Sequence, residues 1–563
     1  MNPFLLRMNL ALFCPLLMIA CHESLLEIGP QGQLDEHTLA TPAGVQATLT
    51  GAYALLDGWD GSLSQLNPPW AAAGSNWIWG SVTTDDAYKG AQPGEMPQIR
   101  ALELYQWDAD HPYLDIRFRA LYEGIARTNA TLRLLSVAAG IPDGDRDAIH
   151  GQARFLRAHY HFEAWKLWGN VPYYTETDQD FRKTNHADPL PLVIADLQAA
   201  ISFLPESMPD VGRVNRWTAR AYLGKVLLYD HRYSEARTAL DLVVTTGPYE
   251  LEDCFHTIFT SQGENGSEMI LSIQASVNDG APGGENGNFP DMLTFPGGAS
   301  PFECCGFHQP SQNLVNAFRV DAQGLPLPDT YNDQNLGKND FADPRLDWTV
   351  GRPGVPYLNW GLHDSTWIAN PAASGPFSPK KFAHRQGEQS QVGWAGAQLG
   401  PVNIPILRYA DVLLMLAECE VELGNLIRAR ELVNRVRSRA ANCAQAPGGG
   451  DAPIDDAGIT WATYRAGVYD APWTDPQAAR KAIRMERRLE FALEGHRLFD
   501  LRRWGIAAEA LNAYLLAEQA RRPYLGTAAP YQARHDRYPL PAAQIELSKV
   551  DGLPQLVQNQ GWE

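Results

Sequence analysis

Three glutamates at helical spacing are the first residues that could do chemistry. Glu486, Glu490 and Glu494 stand at i, i+4 and i+8 in Arg484-Met-Glu-Arg-Arg-Leu-Glu-Phe-Ala-Leu-Glu494, which places them on one stripe of a helix. Paired carboxylates could serve as acid and base in glycoside hydrolysis. Such pairs must flank a sugar, however, and here each has an arginine within helical reach, as Glu490 has Arg487 and Glu494 has Arg497. Arginine neighbours lower a carboxyl pKa, the wrong direction for a general acid. The stripe therefore reads as structural ion pairing. Asp85-Asp86 alone offer too few converging oxygens for calcium; Asp108 and Asp110 could add ligands, which keeps a calcium site as the lesser alternative. HExxH, GxSxG, a Walker loop and GxGxxG are absent, so protease, esterase, kinase and dinucleotide chemistry lack their residues. The expectation is a protein without catalysis, cofactor or metal.

The positive signal is aromatic. Sugar rings stack their C–H faces on flat side chains, and their hydroxyls need amide, carboxylate or guanidinium partners. Two loop clusters combine both. The first holds Trp70, Asn76, Trp77, Trp79, Asp86 and Tyr88; the second holds Trp348, Tyr357, Asn359, Trp360, His363, Asp364, Trp367 and Asn370. From these, Trp70, Asn76, Trp77, Trp79, Tyr88, Tyr357, Trp360 and Trp367 are the candidate ligand-binding residues. Trp165, Trp168, Trp217 and Trp504 sit in helical patterns and read as scaffold core.

Cysteine placement gives a compartment. Arg7 is the only charged side chain before Ala20, and an apolar stretch runs from Leu10 to Cys21. This is a secretory signal, too short to span a bilayer. Cys14 lies within it. Cys254, Cys304, Cys305, Cys419 and Cys443 remain in the body. Their odd number and the lack of CxxC pairs argue against structural zinc. Export permits disulfides, and a bridge from Cys304 or Cys305 to Cys254 is one possibility. Cys419, inside a strong helical pattern, reads as a buried thiol.

The elements that must position these groups are mostly helical. Apolar residues recur at helical spacing over 44–56, 112–138, 145–168, 190–203, 215–230, 234–246, 408–423, 426–441 and 475–494. Between about 250 and 405 periodic helix nearly disappears, and Gly, Pro, Asn and aromatics take over. A structureless run of that length inside a compact protein is a functional insert rather than filler. Gly224, Ala236, Leu240 and Pro248 follow the small–small–large–proline spacing of a tetratricopeptide unit. Leu416-Ala417, Gly424, Ala429 and Val433 repeat it, and the pair 112–138 and 145–168 forms a third, degenerate unit. The fold class is mainly α, with tetratricopeptide-like stacked helix pairs and a long loop-rich, aromatic-rich insert. The expected divisions are a signal at 1–20, a tether at 21–42 and an N-terminal scaffold at 43–249, which carries a Trp-rich loop at 58–100. A binding insert at 250–405 and a C-terminal scaffold at 406–563 follow. Composition agrees: 563 residues with 46 basic and 65 acidic side chains give a net charge of −19, a poor surface for duplex nucleic acid. A mean hydropathy of −0.29 excludes a polytopic membrane protein.

Several segments resemble the SusD/RagB family of outer-membrane nutrient-binding lipoproteins. Met18-Ile-Ala-Cys21 resembles a bacterial lipobox. Thr84-Asp-Asp-Ala87, Leu121-Tyr-Glu-Gly-Ile-Ala-Arg-Thr-Asn129, Ala153-Arg-Phe-Leu-Arg-Ala158 and Trp168-Gly-Asn-Val-Pro-Tyr173 are similar to family segments. So are Leu407 to Glu418, Arg484 to Trp504, Tyr538-Pro-Leu-Pro541 and Val557 to Trp562. The resemblance implies acylation of Cys21 and a lipid-anchored protein on the cell outer membrane, facing the exterior. It also implies a SusC-like TonB-dependent transporter as partner and oligosaccharide as cargo. A peptide cargo is the alternative within binding, and a lipid-anchored glycoside hydrolase the alternative outside it. The segment after Cys21, His-Glu-Ser-Leu-Leu-Glu27, departs from the family in carrying only scattered acid.

Overall fold

Residues 36–59, 67–393 and 396–563 are described by the computed structural model. The signal, Cys21 and most of the tether lie outside them. The scaffold helices are α1 (Pro42–Ala54), α2 (Pro112–Val137), α3 (Asp143–Trp168), α4 (Leu190–Phe203), α5 (Arg216–Tyr229) and α6 (Tyr233–Thr246). After the insert come α7 (Tyr409–Glu422), α8 (Leu426–Ala440), α9 (Pro476–Phe491), α10 (Arg497–Arg503) and α11 (Ala507–Glu518). The spacing of apolar residues predicts all of these within a few residues except α10 and α11. Those two are short and follow the Gly495 and Gly505 breaks that interrupt the helical period.

Each helix packs on the next, from α2 through α6, and the ribbon then continues from α6 to α7, α8 and α9 across the insert. The small residues of the repeat allow this. A Cβ on Gly224 would lie 2.5 Å from Leu240, so only glycine lets α5 and α6 approach. Gly124 of α2 does the same for the Tyr160 ring of α3, 2.6 Å from an added Cβ. Asn215 caps α5 by accepting from the Thr218 backbone, and Asp475 caps α9. Trp168 and Trp217 are buried in the scaffold core, while Trp165 and Trp504 pack against it half-buried.

The insert leaves and returns through one narrow neck. β2 (Met269–Ile273) pairs antiparallel with β4 (Ile404–Arg408), Met269 facing Arg408 and Ile273 facing Ile404. Between them, among the described residues, no helix exceeds six residues. β1 (Ala87–Gly90), from the Trp-rich loop, pairs antiparallel with β3 (Phe307–Pro310). The Trp-rich loop and the insert therefore form one loop assembly on the scaffold. Its own small core gathers Phe255, Phe259, Phe295, Phe302, Trp348, Tyr357 and Trp367. No helix among the described residues is long and apolar enough to cross a membrane.

The disulfides differ from the sequence expectation. Cys254 pairs with Cys443, fastening the start of the insert to the segment after α8. Cys304 and Cys305 pair with each other. Sequence distance hid the first bridge, which spans 189 residues. Cys419 is a buried free thiol.

Candidate ligand-binding face

The glutamate stripe of α9 is locked in ion pairs. Glu486 meets Arg345 at 2.7 Å and Arg437 at 2.6 Å. Glu490 meets Arg345 at 2.7 Å, Arg408 at 2.6 Å, and Arg439. Glu494 meets Arg408 at 2.8 Å and Lys381 at 2.9 Å. Glu268 bridges Arg408 and Arg439, and Asp343 holds Arg345. Glu268, Asp343, Glu486, Glu490 and Glu494 thus balance Arg345, Lys381, Arg408, Arg437 and Arg439, all buried. Burial alone would raise the Glu490 carboxyl, but Arg439, Arg408 and Arg345 overcome it and hold the group far below the usual range. Burial likewise opposes ionisation of Glu494, and Arg408 and Lys381 outweigh it and lower the carboxyl, so neither Glu490 nor Glu494 is poised for general-acid work.

The partners themselves correct the helical-spacing expectation. They come from the insert, its neck and α8, not from α9 and α10. Arg487 instead binds Asp411 and Asp500, at 2.7 and 3.0 Å. Arg497 reaches Asp85 at 2.8 Å, while Arg488 reaches Asp86 at 3.0 Å. Burial opposes ionisation of Asp85, yet Arg488 and Arg497 hold it at about 2. The Asp85-Asp86 pair is thereby a clamp between the Trp-rich loop and α9–α10. Among the described residues no group of three or more His, Cys, Asp or Glu side chains is arranged to hold a metal.

Most of the aromatic candidates prove to be core. Trp77 and Trp79 are at most 1% exposed. The Trp77 indole N–H points at the Pro290 carbonyl, and its ring packs on Phe307 and His308. Trp79 donates to the Ala71 carbonyl at 3.0 Å and packs edge-on to Tyr538. Tyr88 is buried with its hydroxyl on Glu518, and Tyr357 with its hydroxyl on the Pro379 carbonyl. Trp367 is 8% exposed, packed against Tyr357 and His363. Asn76 is buried between Arg117, which donates to it at 2.9 Å, and Glu163, to which it donates. These six have no free face for a ligand. They hold the loops in place from within. Of the eight candidates, Trp70 and Trp360 are half-buried, with Trp70 donating to the Tyr113 hydroxyl at 2.9 Å.

Trp360 packs, half-buried, against the insert's own core. Its indole N–H is satisfied by the His384 carbonyl at 2.8 Å, and its ring lies 4.5 Å from buried Phe302. What it shows to solvent is ring, not polar atom. Beside Phe302 sit the half-buried Cys304 and Cys305. Gln398 ties this turn down by donating to the Phe302 and Cys304 carbonyls. Two residues on, the Gly400 carbonyl accepts from Asn288 and its N–H donates to Gly287. Next to Asn288, Phe289 meets Trp59 at 5.5 Å, both rings half-buried. A cavity of ≈ 250 Å³ is lined by Asn288, the chain neighbour of Phe289, and by Asp57, Arg213, Gln274 and Asn286 among others. Buried atoms Asn288 Oδ1 and Arg213 Nη1 of these lining residues have no hydrogen-bond partner. Beneath the face, burial pushes the Asp291 carboxyl up to about 7, opposed only by its hydrogen bond from Ser75.

Trp59, Phe289 and the cysteine pair are not among the ligand-binding candidates read from the sequence. A usable signal existed. Trp59 stands in Gly58-Trp-Asp-Gly61 and Trp360 in Asn359-Trp-Gly361, each with turn formers as its immediate neighbours. Trp77-Ile78-Trp79 is instead an apolar run, the signature of a buried segment.

Comparison with known proteins places this architecture. The family model described as "SusD family" matches residues 267–562. One described as "Starch-binding associating with outer membrane" matches residues 59–228. SusD-like protein P25 of Formosa agariphila is 25% identical over 455 residues, 77% of each chain. Among solved structures, a SusD-like protein of Bacteroides fragilis superposes with a TM-score of 0.68 at 20% identity, covering 94% of this chain and 98% of that one. Surface glycan-binding protein A of Bacteroides thetaiotaomicron, solved in complex with laminarihexaose, superposes with a TM-score of 0.63 at 22% identity, covering 92% and 99%. Two matched segments that together span nearly all of the scaffold and the insert, in this order, lead to one assignment: the chain belongs to the SusD family.

Proposed function

We propose that this protein is a lipoprotein of the cell outer membrane, anchored through Cys21. It binds nutrient oligosaccharide on its loop face and delivers it to a SusC-like TonB-dependent transporter. The observation that carries the reading is the half-buried Trp360, whose indole N–H is already satisfied and whose remaining surface is ring. Trp59 and Phe289 provide a second aromatic station, and Trp70 a third half-buried ring. The laminarihexaose complex of a structural relative supports a glucan-type oligosaccharide as the first ligand to try. Catalysis is not part of this reading, because the candidate carboxylates are committed to arginines.

The test is calorimetry on the lipidated full chain in detergent, titrated with laminarihexaose, maltoheptaose and a peptide pool. Interface aromatics commonly carry 2 kcal/mol or more. Trp360→Ala and Trp59→Ala should therefore each weaken binding by about thirtyfold. Trp77→Ala should lower the melting temperature instead. Binding of peptides but not oligosaccharides would overturn the cargo, and release of reducing ends from a bound glycan would overturn the non-catalytic reading.

A further inference from the structure

We propose that the Cys304–Cys305 disulfide is itself a ligand-contacting surface, forming with Trp360 one apolar platform for a sugar ring. The inference rests on the glycan-binding reading above and goes beyond it by assigning a binding role to the cysteines. Four observations converge. First, the two sulfurs are bonded to each other and fasten no distant segments together. The bridge that does that work is Cys254–Cys443. Second, both cysteines are half-buried, on a turn whose neighbours Pro301 and Glu303 are exposed. Third, the turn sits where Trp360 does. Phe302, two residues before Cys304, is fully buried with its ring 4.5 Å from that of Trp360. Fourth, the turn is held from below. Buried Gln398 donates to the Phe302 carbonyl at 3.3 Å and to the Cys304 carbonyl, and approaches Cys305 Sγ at 3.8 Å.

The chemistry suits a sugar. A disulfide exposes two polarisable sulfurs with no hydrogen-bond donor, and soft sulfur packs well against apolar surface. A pair of free thiols at the same place would rotate independently. The bonded pair is one rigid unit, so ordering it on binding costs little entropy. A pyranose has an apolar C–H face that fits such a surface, while its equatorial hydroxyls point outward to solvent or to the exposed Glu303.

The experiment is protection of the disulfide from reduction, read by mass spectrometry on the lipidated full chain. A water-soluble phosphine is added with and without saturating laminarihexaose or maltoheptaose, whichever binds. The half-buried Cys254–Cys443 bridge is the internal control. Bound oligosaccharide should slow reduction of Cys304–Cys305 at least fivefold and leave Cys254–Cys443 unchanged. Cys304→Ala/Cys305→Ala should bind at least tenfold more weakly while melting within a few degrees of the parent. Should that variant fail to fold, the protection measurement on the parent decides alone. Equal reduction rates with and without a bound oligosaccharide that Trp360→Ala abolishes would overturn the platform and leave glycan binding standing. Equal protection of both bridges would assign the effect to global stabilisation and also overturn the platform. Binding of neither oligosaccharide by the parent would overturn the function reading and this inference with it.

Discussion

At the scale of residues, the same side-chain type does opposite work according to its partners. Glu490 is buried against three arginines, so its ionised form is favoured by the fold. Its pKa is depressed in the folded state, so the contribution is complete above the unfolded carboxyl value, ~4.3. It is lost as pH falls through the folded value. Removing the charge leaves Arg345, Arg408 and Arg439 under-compensated. Breaking a buried pair costs ~3–5 kcal/mol, so Glu490→Gln should lower the melting temperature sharply at pH 7. Oligosaccharide affinity per folded molecule should stay within twofold. Asp291 is the reverse case. Burial raises its carboxyl to about 7, so the folded protein keeps a proton that the unfolded chain releases above ~3.9. Stability from this group is full below that value and declines as pH rises towards 7. Asp291→Asn should therefore flatten the melting-temperature profile between pH 5 and 8 and raise its upper end. A variant profile parallel to the parent's would remove Asp291 as the cause.

At the scale of elements, the helices are legible because one period runs through each of them. Helical spacing over 190–203 has its counterpart in α4, Leu190–Phe203. The α5–α6 crossing was legible in three residues, Gly224, Ala236 and Leu240. The structure gives that spacing its cause, since a Cβ on Gly224 would intrude to 2.5 Å on Leu240. Overpacking of this kind costs ~1–3 kcal/mol. Gly224→Ala should destabilise by about that amount in a denaturant titration, and adding Leu240→Ala should recover part of the loss. Strict additivity of the two substitutions would mean that they do not meet. The partners of the α9 glutamates were not legible, because ion pairs across elements leave no periodic trace. Helical spacing pointed to Arg487 and Arg497. Tertiary packing supplied Arg345, Arg408, Arg437 and Arg439, of which Arg345 is 145 positions from Glu490.

At the scale of the whole molecule, the ion-pair network explains how a loop-rich insert can present a fixed surface. Glu268 and Arg408 stand at the neck, where β2 and β4 pair, and both are joined to Glu490 or Arg439 of the scaffold. The loop face is thus fastened to the helical ribbon at its root, while Cys254–Cys443 fastens one side. The face itself was only partly legible. Aromatic enrichment pointed to segments 58–100 and 250–405, but a tryptophan count does not distinguish a half-buried ring from one that fills a loop's own core. Trp77 and Trp79 fill; Trp360 shows.

Tethering is separable from that rigid body. The scaffold begins at α1, and the lipobox-like Met18-Ile-Ala-Cys21 precedes it by about twenty residues. Each acyl methylene buried in a bilayer contributes ~0.8 kcal/mol, and no described helix is long and apolar enough to cross a membrane. Cys21→Ser, expressed without a SusC-like transporter, should therefore move the protein from the membrane fraction to the soluble one. The melting temperature and the oligosaccharide affinity should stay those of the parent, because Cys21 precedes the first scaffold helix by about twenty residues of sequence. Retention of the variant in the membrane fraction would assign attachment to the body of the protein. A lost affinity on release would mean that tether and loop face are one functional unit rather than two.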